Sequence, residues 1–239
     1  MTFRFCIGFM FQNECAWLKI HLPVLLKSSA VDGIVAVDGG SSDGGADYLH
    51  ALGATVLHRP WDWKPLDQEN AVIELAEREG YDAMLLTAPD ELWWPHHLDK
   101  IKAMLEQRQH HALLFPTFNF VKDRRHFAPK QPYFPDVHIR AWRLNEGIRH
   151  VRPIDSVPNV PHGKWTPVMD VTMYHYSHIK PRDWYSLKGL NFNRVKEGLP
   201  PLDKLPDDVP VEPYPYHEPF TGMQPLEPDE CGERAPYAN

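Results

Sequence analysis

The chain reads as an α/β protein built on an open, largely parallel, Rossmann-type sheet with helices on both faces. Three observations predict this. Short apolar runs alternate with stretches of helical periodicity over the first 120 residues. Glycines and small polar residues break the alternation where runs end. Two of the runs end in acidic loops, GIVAVDGGSSDGG at 33–45 and LLTAPDE at 85–91, and open α/β sheets place ligands at the carboxyl ends of their strands.

The elements follow in order. Phe3–Phe11 is apolar enough for a buried strand, and Trp17, Leu18, Leu22, Leu25 and Leu26 give Glu14–Ser28 helical spacing. Ile34–Val37 is a β-branched run typical of a buried parallel strand. Asp43–Leu52 is a short helix with Gly53 just past its end, and Thr55–Leu57 is the third strand. Asp67–Glu79 turns Ala71, Leu75 and Ala76 inward and closes on Gly80. Ala83–Leu86 is the fourth strand, Leu98–Gln107 the next helix and Leu113–Phe115 the fifth strand. The second half is less regular and rich in aromatics, Arg, His and Pro. Ile139–Leu144 and Val168–Tyr176 read as strands and Arg182–Glu197 as a helix. Ten of the last 40 residues are proline, which predicts an extended tail rather than a helix or a central strand.

Composition bounds the class. A chain of 239 residues with 43% hydrophobic content can bury one large domain, or one domain with an appendage. No run approaches the roughly 20 apolar residues of a membrane span, and the N-terminus lacks a small-residue cleavage site. Cys6, Cys15 and Cys231 form no CxxC pair, which suggests reduced thiols and a cytoplasmic location. Net charge is −7 but uneven. Residues 122–196 carry +8, residues 197–239 carry −8 and the first 121 carry −7. The basic segment, with Lys122, Arg124, Arg125, Lys130, Arg140, Arg143, Arg149 and Arg152, suits phosphates of a nucleotide or a nucleic acid, or a solvated face neutralised by the tail.

Two carboxylate loops on one sheet edge suit a divalent cation and a nucleoside diphosphate, because hard oxygen ligands favour Mg²⁺ or Mn²⁺. Asp38 could accept hydrogen bonds from a base or ribose, or simply open a turn. Asp90 could hold metal or cap a helix.

Four segments in order resemble the family 2 glycosyltransferases of GT-A fold, in the branch with an Asn-Glu pair after the first strand. They are FMFQNECAWL (9–18), GIVAVDGGSSDGG (33–45), QENAVIELA (68–76) and LLTAPDELWWP (85–95), with a weaker fifth, MYHYSHIKPRDWYSLKG (173–189). The resemblance implies a nucleotide-sugar-binding half at 1–120, an acceptor-side half at 121–199 and a proline-rich acidic tail at 200–239. It implies transfer of a sugar from a nucleoside diphosphate sugar, a UDP-sugar foremost, to an acceptor hydroxyl, with inversion and with Mn²⁺ or Mg²⁺. It assigns Phe11, Gln12, Glu14, Asp38, Asn70 and Asp90 to the nucleotide sugar. Asp90, His175 and His178 fall to the metal, and Asp155 to the general base, with Asp136 and Glu91 as rivals. Trp61, Trp63, Trp93 and Trp94 would pack on sugar or base faces, or in the core. The sequence departs from the family at Ala88, where the first acid of Asp-x-Asp is expected, at Pro89 in its middle, and at Glu69, where an arginine is common. Lys64 or the basic segment would then supply the missing cation. The acceptor would be a saccharide or a hydroxymethylated base in phage DNA. A non-catalytic nucleotide-sugar-binding protein and a nucleotidyltransferase are the alternative functions.

Overall fold

The computed structural model describes residues 2–120, 126, 127, 136–152, 157–161 and 163–176, then 179, 187, 190, 191, 193–195, 197–202, 204, 206, 224 and 225. In chain order the elements are β1 (Phe5–Phe11), α1 (Cys15–Leu25), β2 (Gly33–Asp38), α2 (Gly45–Ala51), β3 (Thr55–His58), α3 (Pro65–Arg78), β4 (Ala83–Leu86), β5 (Glu91–Leu92), α4 (Pro95–Glu106), β6 (Ala112–Asn119), β7 (His126–Phe127), β8 (Asp136–Arg143), β9 (His150–Arg152), β10 (Val157–Pro158), β11 (Trp165–Pro167), β12 (Met173–His175) and β13 (Gln224–Pro225). The chain divides into two compact units, Met1–Thr117 with Val137–Met173, and Phe118–Asp136 with Tyr174–Asn239.

In the first unit the strands run in the order β3-β2-β1-β4-β8-β6. β1 pairs parallel with β2 and with β4, and β2 parallel with β3. Four carboxyl ends therefore share one edge, as the sequence predicts for a parallel sheet. The difference is β8, which comes from the irregular second half and lies antiparallel against β4. β11 extends the sheet beside β6 in parallel, and β9 and β10 form a separate antiparallel ladder. In the second unit β7 and β13 pair antiparallel, so Gln224–Pro225 of the tail is a strand. Of the expected helix at 182–197, residues 187, 190, 191 and 193–195 are helical.

The central strands are buried on both faces, as parallel strands between helical layers should be. Phe5, Cys6, Ile7, Val35, Ala36, Val37, Met84 and Leu85 are all inaccessible. Burial pushes the Cys6 thiol far up and makes it a packing residue. α3 covers this sheet through Gln68, Glu69, Val72, Ile73, Leu75 and Ala76, a stripe at three- and four-residue spacing. Gly8 permits the approach, because a Cβ there would lie 2.5 Å from Met84 Cε and 2.8 Å from Val72 Cγ1. α3 and α4 begin two or three residues earlier than periodicity alone suggests, at Pro65 and Pro95. Proline at the first helical position costs no hydrogen bond and arrives with a helical φ. α2 and α3 end as expected, on Gly53 and Gly80 with φ of 76° and 75°. Among the described residues, no helix is long and apolar enough to cross a membrane.

Candidate functional site

The site in the first unit is built from the loops after β1, β2, β3 and β4. β1 lies between β2 and β4, so the two acidic loops flank the Gln12–Glu14 loop. They stand about two strand spacings, roughly 10 Å, apart.

The loop after β2 is tied down by its own acids. Asp38 is 3% exposed. Its Oδ1 accepts the N–H groups of Gly40 at 3.1 Å and Ser41 at 2.8 Å, and its Oδ2 faces Nδ1 of His58 at 3.1 Å. Burial alone would raise this carboxyl. The hydroxyl and N–H of Ser41, the His58 ring and the Gly40 N–H outweigh burial and hold it below the ordinary carboxylate value. Asp43 does the same further along, accepting the Cys15 N–H at 2.7 Å and the Gly45 N–H at 3.0 Å. It thereby closes the first turns of α1 and α2. Gln12 donates to the Gly39 carbonyl, and Asn13, at a φ of 54°, exchanges hydrogen bonds with Ser41 and Ser42. Gly39 sits where these loops cross. A Cβ there would lie 3.2 Å from each of Gln12 Cβ, the Phe11 carbonyl oxygen and Trp61 Cβ. Phe11 is buried behind the loop, and Glu14 precedes α1, its carbonyl accepting the Leu18 N–H.

The loop after β4 is held by a different acid. Glu91 is buried, and its Oε2 accepts the Thr87 hydroxyl at 2.9 Å and the Ala88 N–H at 3.0 Å. Its Oε1 meets Arg140 Nη2 of β8 at 2.6 Å. The indole N–H of Trp93 also donates to Thr87 Oγ1. On the other side His21 of α1 contacts the Pro89 carbonyl through Nδ1 at 2.8 Å. A carbonyl can only accept, so His21 Nδ1 carries the proton. These contacts hold Asp90, itself buried, at the turn closed by the Glu91 N–H on the Ala88 carbonyl.

Other expected residues have different duties. Asn70 exchanges two hydrogen bonds with the backbone of His150, joining α3 to β9. Trp93 and Trp94 are core, and Trp93 meets Phe115 edge-on. Trp61 and Trp63 are half-buried and pack edge-on to each other after β3. Lys64 is exposed near Asp62, while Arg59 lies within 3.4 Å of Asp62 and 3.7 Å of Asp67. In the second unit Asp136 accepts from the Asn119 amide, whose oxygen receives His175 Nδ1 at 2.8 Å. The amide nitrogen is already donating, so the network assigns the proton to Nδ1 of His175. Asp155 and His178 lie outside the described residues. The sequence gives no particular role to His58, Ser41, His21 or Thr87: Ser41 and Thr87 lie within the two loop motifs, His21 within the expected first helix and His58 one residue past the expected third strand.

Among the described residues no group of three or more His, Cys, Asp and Glu side chains could by itself hold a metal ion. The Asp90 side chain is a carboxylate that is itself engaged within the protein, that of Ala88 carries no donor atom, and Glu91 is held by Arg140. This donor set fits an ion shared with phosphate oxygens rather than a protein cage, since Mg²⁺ sites of that kind use one or two carboxylates.

Solved structures share the fold of much of this chain. TarS 1–349 of S. aureus superposes with a TM-score of 0.54 at 15% identity, covering 79% of this chain and 66% of that one. TarS 1–349 in complex with UDP gives 0.52 at 14%, covering 84% and 67%. The mannosyltransferase PcManGT of Pyrobaculum calidifontis, in complex with GDP-Man and Mn²⁺, gives 0.54 at 13%, covering 81% and 64%. The chain has a glycosyltransferase fold. It spans about two thirds of the length of these structures, and no family model or curated protein sequence matches it.

Proposed function

We propose that the chain is a glycosyltransferase that moves a sugar from a nucleoside diphosphate sugar to an acceptor hydroxyl. The observation that carries this reading is the shared strand edge. There a small-residue loop under Asp38 and an acidic turn bearing Asp90 flank the Gln12–Glu14 loop, in a glycosyltransferase fold. Small residues let backbone approach a ligand, and the carboxyl edge of parallel strands is where such sheets bind nucleotides. In the GT-A branch with the Asn-Glu pair, a UDP-sugar is the expected donor and transfer inverts the anomeric centre.

Each side chain then has a task. The loop at 39–45, laced by Asp38, Asp43 and Asn13, presents a fixed rim to the nucleotide. Glu91 and Arg140 hold the Thr87–Asp90 turn in place, so Glu91 positions rather than abstracts a proton. Asp155 is the proposed general base, taking the acceptor's proton as its oxygen attacks. Asp90 is the proposed ligand for Mn²⁺ or Mg²⁺, which when bound would neutralise charge on the departing diphosphate. Binding donor and acceptor in one place supplies much of the acceleration.

The acceptor is proposed to be a saccharide hydroxyl rather than a base in DNA. Three arginines of the basic segment are paired with carboxylates of the same chain: Arg140 with Glu91, Arg143 with Glu146 and Arg149 with Glu77. Fewer cations remain for a phosphate backbone. A thermal-shift screen of UDP- and GDP-sugars with and without Mn²⁺, followed by product analysis, tests the reading. Asp90→Ala should abolish metal-dependent transfer while leaving the fold intact. Undiminished turnover in that variant refutes the role given to Asp90.

A further inference from the structure

Asp38 stands where a base or ribose contact is expected, yet it has little left to give. It is 3% exposed, two loop N–H groups occupy Oδ1, and Oδ2 is turned to His58. His58 is the reverse. Its side chain is 65% exposed, it ends β3 in register with Asp38, and only its Nδ1 is engaged among the described residues. Gly40, at a φ of 94°, leaves the ring edge open, because even a Cβ there would come no nearer than 4.0 Å to His58 Cε1.

We propose that His58, oriented by Asp38, reads the nucleobase of the donor by accepting a ring N–H at Nε2. The inference rests on the nucleotide-sugar reading above and adds the group that chooses the base. The chemistry follows from the pair. Asp38 is ionised and can only accept, so the proton of a neutral imidazole lies on Nδ1, and Nε2 keeps its lone pair. That lone pair complements the imino N–H of uracil, thymine or guanine. Cytosine and adenine carry a lone pair at the corresponding ring nitrogen and would meet it lone pair to lone pair. Asp38 is thus a positioning residue, acting on the base through the tautomer it imposes on His58.

The pair predicts an inversion as well as a loss. In Asp38→Asn the N–H groups of Gly40 and Ser41 keep the amide oxygen at the Oδ1 position. The amide NH₂ then faces His58, which must turn an Nδ1 lone pair towards it and carry its proton on Nε2. The reader changes from acceptor to donor.

Calorimetric titration of the full chain with UDP, GDP, CDP and ADP in the presence of Mn²⁺ tests this. The wild type should bind UDP or GDP about tenfold or more tighter than CDP and ADP, the worth of one hydrogen bond made or left unpaired. His58→Ala, at an exposed position, should keep its circular dichroism spectrum and lose that preference. Folded Asp38→Asn should shift the preference towards CDP or ADP. The proposal is overturned if the wild type does not discriminate, if His58→Ala discriminates as before, or if folded Asp38→Asn keeps the original preference. It also falls if His58→Ala weakens all four ligands equally, which would place His58 on the phosphates. Failure of every nucleoside diphosphate to bind the wild type would instead bring down the nucleotide-sugar reading itself.

Discussion

Replacing Arg140 with methionine isolates the contact that holds the turn after β4. The Arg140 and Glu91 side chains are 13% and 2% exposed, and their charged atoms meet at 2.6 Å. At an effective dielectric near 20, unit charges at that separation attract by about 6 kcal/mol, much of it offset by the desolvation of both ions. Removing one partner of a buried pair costs about 3–5 kcal/mol, because the other charge stays buried and uncompensated. Glu91 would keep the Thr87 hydroxyl and the Ala88 N–H, and methionine preserves the packing of the arginine stem, so the low end, about 3 kcal/mol, is expected. For a domain of this size that lowers the unfolding midpoint by roughly 6–12 °C. Thermal and urea unfolding measure it. Adding Glu91→Gln to Arg140→Met removes the orphaned charge and should recover most of the loss, giving a coupling of the two sites well above 1 kcal/mol. An Arg140→Met midpoint equivalent to less than about 1 kcal/mol, the range of an exposed pair, would refute the account of this contact as a buried tether.

Gly39→Ala should destabilise by about 1–3 kcal/mol, because its Cβ must displace Gln12, Trp61 or the Phe11 carbonyl; urea unfolding reads the loss. Asn70→Ala should cost about 2 kcal/mol in the same assay, since two hydrogen bonds to the His150 backbone vanish, and donor affinity should fall less than stability does. His97 is buried in α4, and that burial, aided by the neighbouring His96, lowers its pKa from 6.5 to about 4. Between those values the unfolded chain binds the extra proton, so stability is full above about pH 6.5 and falls as the pH drops towards 4, by up to about 3 kcal/mol. His97→Gln should flatten that part of the stability–pH curve measured by denaturation.

Much of the first unit is legible in the sequence because its signals are local. The β-branched run before Asp38, the helical spacing of Ala71, Leu75 and Ala76 and the closing glycines 53 and 80 each lie within a dozen residues. β8 is harder to place. Asp136–Arg143 looks like any strand, and only its partner β4, some 50 residues earlier, gives it an antiparallel place in a parallel sheet. The site divides in the same way. Asp38, Asp90 and the small-residue loop announce themselves by composition at strand ends. That Glu91 spends its charge on Arg140, Asn70 its amide on His150 and Asp38 its second oxygen on His58 depends on distant residues converging, which no local spacing encodes.

The loop from Gly39 to Gly45 contains four glycines and would be a flexible hinge in isolation. Here the amides of Gly40, Ser41, Ser42, Gly45 and Cys15 all point at side-chain oxygens of Asp38, Asn13 or Asp43. Its conformational entropy is surrendered when the chain folds, before any ligand arrives. These amides should exchange with deuterium slowly for a surface loop, and their protection should change little when a nucleotide binds.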